Sequence, residues 1–549
     1  MKNGWREIGD TMIDLDDLRK DPIPVRRMLR LWKTRLADEL VAADSTGVEL
    51  TGKAALVRAL ILRRLLRKQV LQDREQEPHV GLLLPPSVPA MLANVSLVMD
   101  RRVAVNLNYT AGCATLDHCI HKAHLQHIIT SRKVMAHLDF SPDCELVYLE
   151  DFVPKMTLWT KLVSLYQARC WSLDKLYRKL ELDTLDPDDT MAILFTSGST
   201  GTPKGVMLSH RNLSSNTDSA ADFFHLTSDD RLLCALPFFH SLGFMATLWA
   251  DLAIGMRPFY HYSPLDCKTI SQLCRKYHPT IFMGTPSFLR LYLRRLKRED
   301  FASVNQIMLG AERCPVELMD ESEKNFGIRP VQGYGITETS PIIAANLSRL
   351  RMRPGDAPPK DESLGRPLPR VSVKVLDLNT NEPCQPGEVG MLWVSGQNVM
   401  KGYYEEPDRT AEVIQDGWYC TGDLVSLDED GYILLAGRLS RFAKIAGEMV
   451  PHEGLEEVLN QILANPIDEP PKLCVTSVPD VRKGEKIVVL YTELSRTPAE
   501  ISAQLLERKI PPLWIPSQDA YRQVASIPLL GTGKLDLYAI QQIAKGFFN

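Results

Sequence analysis

The residues best suited to chemistry lie in one short run. Two apolar, strand-prone segments, Met191–Phe195 and Val206–Leu208, flank Thr196-Ser-Gly-Ser-Thr-Gly-Thr-Pro-Lys-Gly205. Gly198, Gly201 and Gly205 permit backbone conformations closed to other residues and leave the amides unobstructed. Successive N–H groups of this kind form an anion nest. The hydroxyls of Thr196, Ser197, Ser199, Thr200 and Thr202 add donors, and Lys204 adds a positive charge. The loop therefore suits a polyphosphate. It is not a Walker A loop, because Pro203 stands where the second glycine of G-x-x-x-x-G-K-[ST] would fall. Kinase and P-loop ATPase readings are disfavoured.

The elements that must carry this loop read as α/β. Short apolar runs (Val80–Leu84, His127–Thr130, Met191–Phe195, Ile281–Met283, Gln306–Leu309) alternate with segments of helical period. From about Val371 the texture changes to short strands and turns, a small β-rich subdomain over about 371–437. Beyond it a compact α+β unit is predicted, with a helix near Glu453–Leu463 and strands near Leu473–Val478 and Lys486–Thr492. The division falls between a large amino-terminal domain, 1–439, and a smaller carboxyl-terminal one, 440–549, with Ser440 in GRLSRFAK as the candidate hinge. A chain of 549 residues exceeds what one core holds, so several domains are expected.

Composition narrows the setting. The net charge of −4 gives no global attraction to nucleic acid. The 11 scattered cysteines include no CxxC pair, which fits a reducing cytoplasm better than a disulfide framework. The first twenty residues lack the apolar stretch of a secretory signal. Residues 81–99 and 232–256 are apolar but interrupted by prolines or polar groups, so a soluble or peripheral protein is expected.

The segment Ile193-Leu-Phe-Thr-Ser-Gly-Ser-Thr-Gly-Thr-Pro-Lys-Gly-Val-Met-Leu-Ser-His210 resembles the phosphate-loop signature of the acyl-adenylate-forming superfamily. Further motifs follow in that superfamily's order, from about Val48 to Leu537. The resemblance implies ATP and Mg2+ as cofactors and a carboxyl-terminal domain that rotates between two half-reactions. Gln332-Gly-Tyr-Gly-Ile-Thr-Glu-Thr339 is similar to the adenine and phosphate segment: Gly333 and Gly335 would let the chain bend around Tyr334, whose ring could lie against a purine. By the same resemblance Thr337 touches the α-phosphate and Glu338 holds Mg2+, a hard cation that prefers carboxylate oxygen. Ala311-Glu312 matches the adenine-pocket segment. Gly417–Asp423 resembles the ribose motif, where Asp423, supported by Arg438, would accept from both hydroxyls. Pro237–Gly243 matches an aromatic–histidine motif in which His240 orients the acid. Ile527–Lys534 resembles the loop whose lysine, here Lys534, neutralises charge during adenylation. Lys444 and Gly447 fall on the strand resembling the second-step face, the glycine leaving room for a phosphopantetheine arm. At the hinge, Ser440 departs from the Asp or Lys of many relatives.

The runs RFAKIAGEMV, NLNYTAG and PLLGTGKLD look closest to the acyl-carrier-protein synthetase half of bacterial bifunctional 2-acylglycerophosphoethanolamine acyltransferases. That branch implies a long-chain fatty acid as substrate and an acyl carrier protein as acceptor; Arg441 beside the hinge, and Lys483 and Lys486 in a basic turn of the same domain, are the candidate contacts for its acidic helix. The alternatives are a fatty-acyl-CoA ligase and an inactive module that binds fatty acid or nucleotide. Three further features are read from the residues alone. The string His225–Asp230, an HxxxxD pattern without companions, is taken as chance. His118, His121, His124 and His127 recur every third residue, a step that drifts around a helix and does not converge on a metal. Three basic amphipathic segments hint at an anionic partner or membrane surface: Val25–Leu36, Arg63–Lys68 and Trp159–Tyr177.

Overall fold

The computed structural model describes residues 15–71, 73–138, 140–196, 203–445, 448–465, 471–480, 484–529 and 535–548. Two large, mainly parallel sheets form the bulk of the fold. One has nine strands and runs, in spatial order, through 366–367, 342–345, 331–335, 306–309, 281–284, 231–234, 257–260, 40–44 and 49–51. The other has seven: 402–403, 204–209, 190–196, 103–106, 79–82, 127–130 and 145–148. The strands Val103–Asn106, His127–Thr130, Ile281–Gly284 and Gln306–Leu309 are buried along their whole length. Helices cover both faces of a parallel sheet, so such strands read as continuous apolar runs without alternation. The α/β reading and the five runs are thereby realised, two with the same ends and three with ends shifted by one or two residues.

A third, antiparallel sheet joins Ser372–Leu376, Gly390–Ser395, Trp418–Leu427, Ile414–Gln415 and Ile433–Arg438. It shares one continuous apolar core with both large sheets, from Leu18 to Ile433. A fourth sheet uses only residues after Leu439: Glu448–Pro451, Phe442–Ile445, Gly484–Tyr491, Leu473–Asp480 and Tyr521–Gln523. Its two apolar clusters are its own, and the predicted helix lies on it as His452–Leu463.

The two apolar stretches resolve as the prolines imply. Residues 81–99 turn from a strand at Leu82 into the buried helix Val88–Met99, with proline in its first turn, where a missing N–H costs nothing. Residues 232–256 divide into a strand end, the short helix Ser241–Phe244, a π-helical turn Met245–Trp249 and the helix Ala250–Ile254. Among the described residues, no helix is long and apolar enough to cross a membrane.

Of the three basic amphipathic segments, two are structural. In the helix Pro24–Lys33, Val25, Met28, Leu29 and Trp32 are core residues. Arg26 and Arg30 pair with Asp21 and Asp17, and the buried Arg27 pairs with Asp218 at 2.6 Å. In Gly52–Gln69, Arg63 and Arg67 both turn to Asp100. In the first helix three arginines are paired with acids, and in the second Arg63 and Arg67 share Asp100 while Lys68 is exposed. The third segment is different and is taken up below.

The histidine row also disperses. His118 bonds the Pro203 carbonyl at 3.1 Å, His121 the Asp117 carbonyl, His124 the Glu405 carboxylate at 2.9 Å and His127 the buried Glu77 at 2.7 Å. Among the described residues no group of three or more His, Cys, Asp or Glu could hold a metal. His225 lies 2.8 Å from Asp356 and Asp230 pairs with Arg351, so the two ends of the HxxxxD string have separate partners.

Candidate active site

The strands that flank the phosphate loop, Thr190–Thr196 and Lys204–Ser209, pair antiparallel, with Thr196 directly opposite Lys204. Ser197, Gly198, Ser199, Thr200 and Gly201 lie outside the described residues. At its base, the Lys204 ammonium stands 4.9 Å over the ring of Tyr403. Burial lowers its pKa, as does Arg409, while Glu338, Glu406 and Glu412 pull it back. Tyr403 reaches this position because Gly402-Tyr403 adds a short strand beside Val206 and Met207.

Tyr403 also holds Glu338. Its hydroxyl donates to Glu338 Oε1 at 2.9 Å and lies 3.4 Å from the hydroxyl of Tyr419. The Met400 N–H caps the Glu338 carbonyl at 2.8 Å. Lys204, Glu338 and the strand Trp418–Leu427 therefore meet around one phenol. No residue type or spacing in the sequence signals Tyr403. Its one local hint is the aromatic pair in Lys401-Gly-Tyr-Tyr-Glu405, which says nothing of a partner sixty-five positions away.

The segment that carries Glu338 is a strand, Val331–Gly335, followed by a 3-10 turn, Thr337–Thr339. The tight bend expected at Gly333 and Gly335 is absent: the chain is extended there, and neither glycine adopts a positive φ. Gly335 is required for another reason. A Cβ on it would lie 2.0 Å from the Pro341 carbonyl oxygen, a collision with backbone that cannot be relieved by rotating a side chain. Thr337 donates to Ser241 at 3.2 Å, tying the phosphate segment to the residue after His240. His240 caps the short helix Ser241–Phe244, and its N–H bonds the Pro237 carbonyl.

Ala311 and Glu312 follow the strand Gln306–Leu309 at its carboxyl end, the edge of an open α/β sheet where ligands commonly bind. Ala311 holds a left-handed φ of 68°. Glu312 is exposed and accepts from the Ser287 hydroxyl at 2.7 Å. The adjoining Gly310 faces the Gly333 carbonyl and the Leu242 side chain, so this segment, the Tyr334 strand and the aromatic–histidine motif converge.

Asp423 stands on the ten-residue strand Trp418–Leu427, opposite Arg438 in register. It is 2% exposed. The Tyr334 hydroxyl donates to Oδ2, and Arg438 Nε lies 3.2 Å from Oδ1. Burial pushes the Asp423 pKa above the usual aspartate value, against Arg438 and the Tyr334 hydroxyl, which pull it down. Immediately before Arg438, Gly437 has φ 145°, and a Cβ there would lie 2.8 Å from the ring of Phe442.

Lys534 and Gly447 lie outside the described residues, as does the side chain of Lys444, whose backbone belongs to the strand Phe442–Ile445. The predicted docking set needs correction. Arg441 is 3% exposed, donating to the Val475 carbonyl and paired with Glu456, so it is a core cation and not a contact surface. Lys486 stacks 3.6 Å from the Phe548 ring centre, and Lys483 is outside the described residues.

With this geometry in view, residues 33–404 match the AMP-binding enzyme family. The long-chain-fatty-acid–CoA ligase of Bacillus subtilis (strain 168) is 31% identical over 520 residues, 89% of each chain. The chain belongs to the AMP-binding enzyme family. It is an AMP-forming acid–thiol ligase. A second family relative, the long-chain-fatty-acid–CoA ligase of Yersinia pestis, is 27% identical over 70% of this chain and 68% of its own. The ATP-bound MatB of Rhodopseudomonas palustris has the same fold, with TM-score 0.75 over 96% of this chain and all of that one, at 24% identity. Both sequence relatives are named as CoA ligases, so they support a CoA acceptor over the carrier-protein branch that the short motifs suggested.

Proposed function

We propose that this AMP-binding enzyme joins a long-chain fatty acid to AMP at the expense of ATP and then passes the acyl group to the thiol of coenzyme A. In the first step a carboxylate oxygen attacks the α-phosphorus and pyrophosphate leaves. In the second the thiol sulfur attacks the acyl carbon, its proton is lost to solvent, and AMP leaves. Both reactants of the first step are anions, so the protein's task is positive charge and orientation. The observation that carries the reading is the meeting of Lys204 and Glu338 on the ring and the hydroxyl of Tyr403, with Asp423 bonded by Tyr334, four residues before Glu338.

In this reading Asp423 and Arg438 hold the ribose, Tyr334, Ala311 and Glu312 border the adenine, and Thr196, Lys204 and the loop amides cradle the phosphates. Thr337 faces the α-phosphate, and His240, tied in through Ser241, orients the acid. The site fits Mg2+: one hard carboxylate, Glu338, is fixed by a phenol, and an ion that favours phosphate oxygens and water needs few protein ligands. Mg2+ bound there would offset phosphate charge. Lys534 would serve adenylation, and Lys444 and Gly447 the thiol step, after residues 440–549 rotate about Ser440.

The test supplies ATP, palmitate and either CoA or holo acyl carrier protein at equal concentration. Palmitoyl-CoA with AMP and pyrophosphate is expected. Transfer to the carrier protein with none to CoA would overturn the acceptor and restore the branch suggested by RFAKIAGEMV. Release of no pyrophosphate with any acid would overturn the adenylation reading itself.

A further inference from the structure

The helix Leu158–Cys170 has its polarity reversed. The residues it buries are Thr160 and Ser164, facing the helix Gly52–Gln69, while its large apolar side chains point outward. Leu158, Trp159, Leu162, Leu165 and Tyr166 are 73, 73, 51, 49 and 57% exposed. At about 100° per residue these five fall within an arc of roughly 120°, a single stripe. Val153, 63% exposed on the preceding turn Phe152–Lys155, adds a sixth apolar side chain close by in the chain. Scattered exposed leucines need no explanation, but a contiguous stripe with a tryptophan and a tyrosine does. The fold already uses the other side of the helix, where small residues let it sit close, and among the described residues nothing covers this side.

Charge decides what that cover is. Residues 152–171 contain Lys155, Lys161 and Arg169 and no Asp or Glu. A second copy of the same face would set like charges together. Thirteen residues span about 20 Å, too short to cross a bilayer core of about 30 Å but suited to lying along its surface. Tryptophan and tyrosine, with apolar rings and one polar tip, concentrate at that depth. We propose that this face lies on the surface of an anionic lipid bilayer, the helix axis parallel to the membrane, the apolar stripe among the upper acyl carbons and the three cations at the headgroups.

The test is co-sedimentation of the full chain with vesicles of phosphatidylcholine alone or with about 30% phosphatidylglycerol, at low and high salt. Wild-type protein should pellet with anionic vesicles at least about tenfold more than with neutral ones, and less as salt rises. Trp159→Glu with Leu162→Glu should lower that binding about tenfold or more without moving the thermal midpoint, since both side chains are exposed. Lys161→Glu with Arg169→Glu should lower it several-fold and flatten the salt dependence. Three results would overturn the proposal: wild-type protein that stays in solution with every vesicle; undiminished binding by the Trp159→Glu, Leu162→Glu variant, or binding lost only when residues 1–14 are deleted; or a wild-type dimer that this variant converts to monomer with no vesicle binding by either. None of these readouts depends on which acid or thiol the enzyme uses.

Discussion

Glu338 and Asp423 are the two carboxylates of one site, and the fold treats them in opposite ways. Asp423 sits mid-strand in a long antiparallel ladder, almost without exposure, gripped by a phenol on one oxygen and a guanidinium near the other. Glu338 rides a 3-10 turn, half-buried, with Tyr403 on one oxygen and the Lys204 ammonium over the same ring. The rigid, buried carboxylate suits an uncharged ligand that needs fixed acceptors. The looser one suits an ion whose other ligands arrive with the substrate. In the proposed reading, position on a regular strand or on a turn divides binding from charge compensation between two side chains of nearly the same chemistry.

That division can be broken most directly at Glu338. Glu338→Gln keeps the shape and removes the charge, and should lower turnover by about 10²–10³-fold with the KM for ATP within a few-fold, measured as pyrophosphate release. Asp423→Asn should do the reverse, raising the KM for ATP by about 10–100-fold, or about 1.4–2.8 kcal/mol, with turnover nearly kept. If both variants changed the same parameter, the contrast would collapse. Tyr403→Phe removes one hydrogen bond to a charged group and should cost about tenfold in turnover, partly restored by raised Mg2+, because it loosens Glu338 without removing it. The smallest effect expected is in pH. Burial raises the Asp423 pKa, so protonation begins at a higher pH than for an exposed aspartate, and the protonated acid loses an acceptor. The KM for ATP should therefore rise as pH falls, starting at a higher pH than for an exposed aspartate, and Asp423→Asn should flatten that rise. A profile unchanged by the substitution would assign the dependence to another group.

Much of this site is legible in the sequence because its residues sit in short local motifs whose glycines, hydroxyls and acids are spaced by one loop or one turn. Thr196 and Lys204 can be picked out in this way, whereas Thr337, Glu338 and Asp423 are picked out by the resemblance of their motifs to those of a family. What joins them cannot be picked out in either way. Tyr403 reaches Glu338 and Lys204 by adding a two-residue strand to a distant hairpin, and no periodicity encodes that pairing. Arg441 shows the converse failure. A cation in a basic stretch reads as surface, yet Glu456, fifteen residues on, makes its burial tolerable. The amphipathic helices carry the same lesson. Pro24–Lys33 and Leu158–Cys170 both show apolar residues and cations at helical spacing, and one faces the core while the other faces out. Periodicity says that a face needs cover; tertiary structure decides whether the chain itself provides it.

The bend at Gly437 has a mechanical consequence. Arg438 is the last rung of the ladder that holds Asp423, and Phe442, four residues on, lays its ring into the notch left by the missing side chain of Gly437. The crossing from the third sheet to the fourth is thus a seated latch and not a slack tether. In the proposed reading, where Asp423 holds the ribose and residues 440–549 rotate about Ser440, a swing of the sheet that starts at Phe442 would draw that ring from beside Gly437, one residue from Arg438.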